Sequence, residues 1–211
     1  LMVKVSVILT TYNSAIYIDD VIDSILSQRG QDYFKLELIV IDDSSSDRTC
    51  DILKEKNINY ISTSSNTGGP NYGRNIGLSK CSGDFIIIAD HDDVWFSNRI
   101  ERLLSVSHLS PIISSGFTIC DINNNMIERV KKSRVSNYLL FESNETFLTK
   151  LRRSKRGQQT YLGSIMFSSN LKSIKFEEEY GMLDFDWVLR LFHQQRSVEL
   201  CETLYVKRMY K

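Results

Sequence analysis

The stretch VKVSVILT at residues 3–10 is an almost continuous run of β-branched and apolar residues, and it decides the fold class of this chain. Runs of this kind are typical of strands that are buried on both faces of a sheet. Two similar runs follow at residues 36–41 and 85–89, and a weaker one at residues 59–62. The N-terminal half is therefore predicted to contain strands that other elements cover on both sides.

Helical patterns alternate with these strands. An apolar stripe of helical spacing at residues 18–26 predicts a first helix, for which Asn13 or Ser14 is a candidate cap. A short helix capped by Ser46 and another helix over residues 71–79 follow. Because strand–helix–strand units form parallel strands with right-handed crossovers, we expect an α/β fold with an open, mostly parallel, doubly wound sheet and helices on both faces.

The C-terminal half is less regular, and its elements are predicted individually. Residues 130–144 show no clear period and are predicted to form a loop. The remaining predicted elements are helices at residues 98–106 and 185–193 and strands at residues 112–120, 162–167 and 198–209.

Composition narrows the class of protein. The 211 residues, of which 42% are hydrophobic, suit one domain with a sizeable core. Lys plus Arg and Asp plus Glu each number 26, and this balance argues against a nucleic-acid binder. The four cysteines are scattered, which argues against structural zinc and fits a reducing compartment. Since no apolar run approaches the roughly 20 residues of a membrane span and no signal peptide is visible, a cytoplasmic location is expected.

Carboxylates follow two of the predicted buried strands. Asp42 and Asp43 come directly after one strand. Asp90, Asp92 and Asp93 come after another. Ligands of open α/β sheets bind at these strand ends, and so many carboxylates need a compensating cation, for which Mg²⁺ or Mn²⁺ suits the oxygen ligands. The alternative is that these residues form turns and cap helices, as aspartates commonly do.

A series of ordered motifs resembles the inverting family-2 glycosyltransferases with a GT-A fold. The motifs are VSVILTTYN at residues 5–13, SILSQ at 24–28, ELIVIDDSSSD at 37–47, NTG at 66–68, GRNIG at 73–77, GD at 83–84 and DHDDVW at 90–95. The resemblance implies a Rossmann-like sheet with a smaller mixed region on the acceptor side. It also implies one domain, residues 1–211, with nucleotide-sugar binding in about residues 1–95 and acceptor binding in about residues 96–211.

The resemblance implies a donor-binding site. Thr10 and Tyr12 match positions beside the nucleotide base, although the family often has proline at the first of them. Asp43, with Asp42 beside it, matches a carboxylate that accepts a hydrogen bond from the base imide, which favours uracil or thymine. Arg74 matches a basic residue near the diphosphate.

The tripeptide Asp90-His91-Asp92 matches the DxD motif of the family. By this resemblance Asp92 binds Mn²⁺ or Mg²⁺ directly, and Asp90 reaches the ribose or the metal shell. The ion bridges the phosphates and stabilises the leaving diphosphate. His91 occupies the variable middle position.

A general base is also implied, because inverting transfer needs a group to take the proton of the acceptor hydroxyl. The family places it in an acidic motif at the start of a late helix, with arginine six residues later. Asp184 and Arg190 keep this spacing, so Asp184 is predicted to be the base. Leu183 stands where the family usually has glutamate, which affects acceptor recognition. Asp186 is the rival, and its alternative role is to interact with the helix dipole.

Residues 150–156 carry five cations in seven positions: Lys150, Arg152, Arg153, Lys155 and Arg156. One interpretation is a solvated helix end or mobile loop. The other is contact with donor phosphates or with an anionic lipid-linked acceptor at a membrane surface.

The leading hypothesis is inverting transfer from a UDP-sugar to a glycan or lipid-linked glycan acceptor in bacterial surface glycan synthesis, in the cytoplasm or peripherally at the inner face of the membrane. One alternative is a non-catalytic nucleotide- or carbohydrate-binding module of the same fold. Another is a sugar-phosphate nucleotidyltransferase, which would need a glycine-rich basic loop after the first strand. This chain has Thr-Thr-Tyr-Asn there, at residues 10–13.

Overall fold

The computed structural model of the chain describes residues 2–121, 123, 125–130, 136–155, 160–181 and 183–209. The strands are β1 Val3–Thr11, β2 Phe34–Asp42, β3 Tyr60–Ser62, β4 Phe85–Ala89, β5 Val94–Trp95, β6 Ile112–Cys120, β7 Met126–Val130, β8 Tyr138–Phe141, β9 Ile165–Ser168 and β10 Ser197–Arg208. The helices are α1 Ile18–Leu26, α2 Thr49–Glu55, α3 Pro70–Lys80, α4 Arg99–Ser105, α5 Ser143–Ser154 and α6 Phe185–Phe192.

All ten strands belong to one mixed sheet in the order β3-β2-β1-β4-β9-β6-β10-β5, with β7 added to β6 and β8 added to β10. The four strands of the N-terminal half, β3, β2, β1 and β4, are parallel, as their apolar runs predict. Strand β9 is antiparallel to both of its neighbours, whereas β10 runs parallel to β6. The predicted fold class is thus confirmed, and antiparallel pairing is confined to the C-terminal part of the sheet.

Helices cover both faces of the sheet, as predicted. On β1, the side chains of Val5, Val7 and Leu9 are fully buried in a core that includes residues of α1, α2 and α4. Ile8 points to the other face, where its core includes residues of α3 and α6. This alternation explains why the strand is apolar at nearly every position: each face removes its side chains from water.

Two glycines bring α3 close to the sheet. A Cβ atom on Gly77 would overlap the side chain of Ile8 in β1. A Cβ atom on Gly73 would lie 3.0 Å from Cγ2 of Thr10 and 3.2 Å from Cγ2 of Ile41. Larger residues at these positions would force α3 away from the sheet. The two glycines therefore set how closely α3 packs against β1 and β2.

The predicted helix caps are wrong. Helix α1 follows Tyr17 rather than Asn13 or Ser14, and α2 follows Arg48 rather than Ser46. The side chain of Asn13 instead accepts a hydrogen bond of 2.9 Å from the backbone N–H of Ser46. Asn13 and Ser46, whose residue types favour helix caps, instead connect the loop after β1 to the loop after β2 through this hydrogen bond.

The predicted loop at residues 130–144 contains regular structure. Strand β8 pairs antiparallel with β10, and α5 begins at Ser143 with a reciprocal capping interaction between Glu142 and Glu145. Residues 131–135 lie outside the described part of the chain. Because β8 is short and held by a partner about 60 residues away, local periodicity could not reveal it.

The basic stretch at residues 150–156 is partly internal. The ammonium of Lys150 lies 2.7 Å from Oε2 of Glu199, and Nη1 of Arg153 lies 2.6 Å from Oε1 of the same carboxylate. The side chains of Lys150 and Glu199 are fully buried, whereas Arg152 and Lys155 are exposed. Two of these cations therefore hold α5 against β10, and neither of the two predicted interpretations applies to them. Arg156 is outside the described residues.

Within the described residues, no helix combines the length and the apolar character that crossing a membrane requires.

Candidate active site

A cavity of about 450 Å³ opens where β1, β2 and β4 end. The start of α3, the residue before α6 and the end of β10 complete its walls. The lining residues with hydroxyl or charged side chains include Thr10, Tyr12, Asp43, Arg74, Asp90, Asp92, Asp184 and Lys207. The sequence predicts the first seven as site residues, and the fold brings them together. Their individual roles stay predictions.

Asp43 is held by the segment that follows β3. Its Oδ1 atom accepts a hydrogen bond of 2.9 Å from the hydroxyl of Thr63. Its Oδ2 atom accepts one of 2.9 Å from the backbone N–H of Thr67, and the hydroxyl of Thr67 lies 3.0 Å from both carboxylate oxygens. The carboxylate is thus oriented by the protein, and an N–H donor of a ligand must share it with Thr67 or displace that residue.

Asp42 does not line the cavity, which corrects its predicted place in the donor site. Its carboxylate is buried and accepts hydrogen bonds from the hydroxyl of Thr11 at 3.0 Å and from the backbone N–H of Ser45 at 3.0 Å. The thiol of Cys50 also donates to it, at 3.3 Å. Side chains alternate along a strand, so the residue before Asp43 points away from the cavity and instead stabilises the loop after β2.

A chain of hydrogen bonds joins the end of β4 to the loop before α6. Arg74 donates from Nη2 to Oδ1 of Asp90 at 3.0 Å and from Nη1 to Oδ1 of Asn71 at 3.1 Å. The amide of Asn71 donates in turn to the carbonyl oxygens of Glu177 and Leu183, each at 3.0 Å. Arg74 and Asn71 thereby fix the position of Asp90, directly after β4, relative to the loop that leads to Asp184.

Asp184 is the residue directly before α6, and its Oδ2 atom lies 3.9 Å from Nη1 of Arg74. Burial raises the pKa of the Asp184 carboxyl, and the nearby guanidinium only partly offsets this effect. The rival Asp186 does not line the cavity, and its Oδ2 atom accepts a hydrogen bond of 2.8 Å from Nη2 of Arg190. Of the two acids, Asp184 is the one that a ligand in the cavity can reach.

Two of the three acidic residues after β4, Asp90 and Asp93, lie beside cations of the protein. The ammonium of Lys207 lies 3.9 Å from an oxygen of Asp90 and 3.9 Å from an oxygen of Asp93. Burial alone would raise the pKa of Asp90, but Arg74 and Lys207 outweigh it and hold that pKa below its ordinary value. Burial raises the pKa of Asp93 well above its ordinary value. Protein cations therefore lie beside two of the three carboxylates for which the sequence indicates a compensating cation.

Asp92 offers the best metal ligand in the cavity. Among the described residues, nothing donates a hydrogen bond to its carboxylate, and no cation lies within 4 Å of it. The described part of the chain contains no group of three or more His, Cys, Asp or Glu side chains that could hold a metal without further ligands. Mg²⁺ is usually held by one or two carboxylates together with substrate phosphates, so Asp92 and Asp90 fit an ion whose shell a phosphate ligand completes.

The two tryptophans are core residues. Trp187 is fully buried, stacks on Phe176 at 4.4 Å between ring centroids, and donates from its indole N–H to the carbonyl of Ile174. Trp95 is also buried and lies 4.5 Å beneath the guanidinium of Arg99. Neither ring lines the cavity.

Sequence reasoning missed two residues of the site, Lys207 and Asn71. Lys207 belongs to β10, whose partner β6 lies about 90 positions earlier in the chain. No local spacing connects it to the DxD motif. For Asn71 the only local signal is its position three residues before Arg74, one helical turn away.

Comparison with known proteins identifies relatives of this chain. An uncharacterized glycosyltransferase of Haemophilus influenzae is 33% identical over 152 residues, which are 68% of this chain and 59% of that protein. A Campylobacter jejuni protein, GalNAc(5)-diNAcBac-PP-undecaprenol beta-1,3-glucosyltransferase, is 35% identical over 108 residues, which are 49% of this chain and 34% of that protein. This chain thus spans about 60% or less of the length of these relatives.

The crystal structure of Staphylococcus aureus TarS 1–349 in complex with UDP superposes with a TM-score of 0.75 and 21% identity, over 98% of this chain and 60% of that one. At this identity the likeness shows the shared fold. The sequence model of the family named "Glycosyl transferase family 2" matches residues 6–176, which is most of the chain. This chain therefore belongs to glycosyl transferase family 2.

Proposed function

We propose that this chain transfers a sugar, with inversion at the anomeric carbon, from a UDP-sugar to an acceptor hydroxyl during the synthesis of a bacterial surface glycan. One observation carries the proposal: Asp43, Arg74, Asp90, Asp92 and Asp184 line a single cavity at the strand ends. Family membership supports the reaction class. The UDP in the TarS crystal structure supports the nucleotide, and the name of the Campylobacter relative supports a lipid-linked glycan as acceptor.

Asp43 selects the base in this proposal. Uracil presents an imide N–H, whereas cytosine presents only an acceptor at the same ring position, so a carboxylate there favours uracil. The two hydrogen bonds from Thr67 hold the carboxylate in place before the nucleotide arrives. Tyr12, which is 43% exposed at the cavity, provides an aromatic face beside the base.

In this proposal Asp92 and Asp90 would hold Mn²⁺ or Mg²⁺, which would supply a Lewis acid for the departing diphosphate. Arg74 contributes by orienting Asp90 through its hydrogen bond of 3.0 Å and by keeping that carboxylate charged. Since Arg74 is itself buried and bonded to Asn71, it acts on Asp90 rather than directly on the nucleotide.

Asp184 takes the proton of the acceptor hydroxyl while that oxygen attacks the anomeric carbon and the diphosphate leaves. Its raised pKa makes it a stronger base than an ordinary aspartate, which favours proton transfer near neutral pH. Leu183 is 67% exposed beside it, where the family usually has glutamate, so the acceptor meets an apolar rather than an acidic side chain there.

The test is UDP release from a panel of UDP-sugars and acceptors, with Asp184→Asn compared to Asp186→Asn. The first variant should lower transfer by about 100- to 10,000-fold, because general base catalysis has that magnitude, while UDP affinity in calorimetry stays within about twofold. The second should keep transfer within about threefold, since Asp186 pairs with Arg190 outside the cavity.

Full transfer by Asp184→Asn would place the base elsewhere. Binding of UDP without release from any donor would instead favour the non-catalytic module.

A further inference from the structure

Two basic side chains, Arg74 and Lys207, line the cavity, and they differ in what they already bind. Arg74 is 4% exposed, and both terminal nitrogens of its guanidinium donate to protein oxygens, on Asn71 and Asp90. The N–H on Nε is buried and has no acceptor, and each terminal nitrogen keeps one further N–H. Two of its five N–H groups are thus committed to protein oxygens, and its near-complete burial leaves little of the guanidinium open to a ligand.

The side chain of Lys207, in contrast to that of Arg74, has no hydrogen-bonded partner among the described residues. Its two carboxylate neighbours, Asp90 and Asp93, lie 3.9 Å away, which is too far for a hydrogen bond. Its ammonium makes no side-chain hydrogen bond to any other described residue, and its third close neighbour is the ring of Tyr161 at 5.0 Å. The side chain is 16% exposed at the cavity. Three N–H donors therefore remain for a ligand.

The position of Lys207 is fixed by the sheet. Its backbone lies opposite Ile119 in the parallel pairing of β10 with β6. The backbone N–H of the next residue, Arg208, donates a hydrogen bond of 3.1 Å to Oδ1 of Asp93. The ammonium is thereby held beside the DxD motif on a rigid strand rather than on a mobile loop.

We propose that Lys207 contacts the diphosphate of the nucleotide donor, as a fixed positive charge of the protein that acts in addition to the metal ion. The inference rests on the proposed function, because it places a nucleoside diphosphate in this cavity. An ammonium with free donors in a partly desolvated site matches phosphate oxygens, and such charge-assisted hydrogen bonds are among the stronger ones. Part of the affinity for UDP then survives removal of the metal.

The test is calorimetry of UDP and of uridine in EDTA, with Lys207→Met, Lys207→Arg and the matched control Lys80→Met at the far, exposed end of α3. Lys207→Met should weaken UDP binding by about 10- to 100-fold and leave uridine binding within about twofold. Uridine lacks phosphates, so its unchanged affinity also shows that the variant is folded. Lys207→Arg should recover most of the UDP affinity, and Lys80→Met should change neither ligand.

A second variant separates phosphate contact from simple balancing of the acidic cluster. Asp93→Asn removes the carboxylate that Lys207 would balance, so under the balancing role it should restore UDP binding to Lys207→Met. Under phosphate contact, the double variant stays within about threefold of Lys207→Met.

Restoration to the wild-type affinity would overturn the inference, as would equal loss of UDP and uridine binding in Lys207→Met. Absence of nucleotide binding by the wild-type protein, with or without Mn²⁺, would overturn the proposed function itself. The two failures are thus distinguishable.

Discussion

The cavity has two walls that differ in how their charged residues are bonded. The first wall is formed by β2, the segment after β3 and α3. The second wall is formed by the segment after β4, the residue before α6 and the end of β10. On the first wall, Asp43 and Arg74 already hold protein partners at hydrogen-bonding distance. On the second, Asp90 is bonded to Arg74 of the first wall, whereas Asp92, Asp184 and Lys207 have no hydrogen-bonding or charged partner closer than 3.9 Å among the described side chains.

This difference separates recognition from chemistry. Groups that are bonded before a ligand arrives keep their geometry and need no reorganisation, which suits selection of one base. Charged groups without partners destabilise the folded state when they lie beside other charges, but they remain able to bind a proton, a metal ion or a phosphate. Such groups often lower stability at functional sites. Variants on the two walls should therefore behave differently.

The largest expected effect in this comparison belongs to Asp92→Ala. Mn²⁺ should raise the affinity of the wild-type protein for UDP by roughly 10- to 100-fold, which is about 1.4 to 2.7 kcal/mol. The variant should lose this gain, because its cavity retains only one of the two proposed carboxylate ligands. Calorimetry with Mn²⁺ and with EDTA measures the difference, and in EDTA the two proteins should bind alike. Asp51→Ala, at an exposed position on α2, is the control. A variant that keeps the gain would remove Asp92 from the metal site.

The second effect concerns Asp43→Asn on the bonded wall. The amide cannot accept all the hydrogen bonds from Thr63 and Thr67, and its NH₂ group faces donors. The free energy of unfolding should fall by about 1–3 kcal/mol, the usual cost of such a loss. Urea unfolding at neutral pH measures it, with Asp51→Asn expected within about 0.5 kcal/mol of the wild type. An unchanged stability would mean that the hydrogen bonds at Asp43 do not hold the segment after β3.

The residues at the ends of β2 and β4 are the easiest part of the cavity to predict from sequence. Strands β1, β2 and β4 are encoded in short apolar runs, and the rule that ligands bind at their carboxyl ends then locates Asp43 on the first wall and Asp90 and Asp92 on the second. These inferences need only local patterns and the handedness of crossover connections. Among these residues Asp42 does not line the cavity, because two adjacent residues at a strand end point in opposite directions.

The rest of the second wall, at Asp184 and Lys207, cannot be predicted from strand patterns alone. Lys207 reaches the cavity only because β10 joins β6 in one particular register, which includes shifts after Glu199 and Thr203. Strand β8, in a region whose sequence has no clear period, likewise depends on its pairing with β10. Asp184 was found through its spacing to Arg190 in a family motif rather than from its surroundings. Sequence patterns do not encode such registers locally, so this wall needed the structure.

The smallest effect, opposite in sign to that of Asp43→Asn, belongs to Asp184→Asn. Burial raises the pKa of Asp184, so the folded state binds its proton more tightly than the unfolded state does. Stability is therefore lost as the pH rises from the unfolded pKa, near 3.9, through the folded pKa, and the cost persists at neutral pH. The asparagine variant avoids this cost and should be more stable by at most about 1 kcal/mol at pH 7, with no difference below about pH 3.5. Thermal unfolding across this range measures the gain. A destabilised variant at pH 7 would show that Asp184 is bonded like Asp43, and the contrast between the two walls would fail.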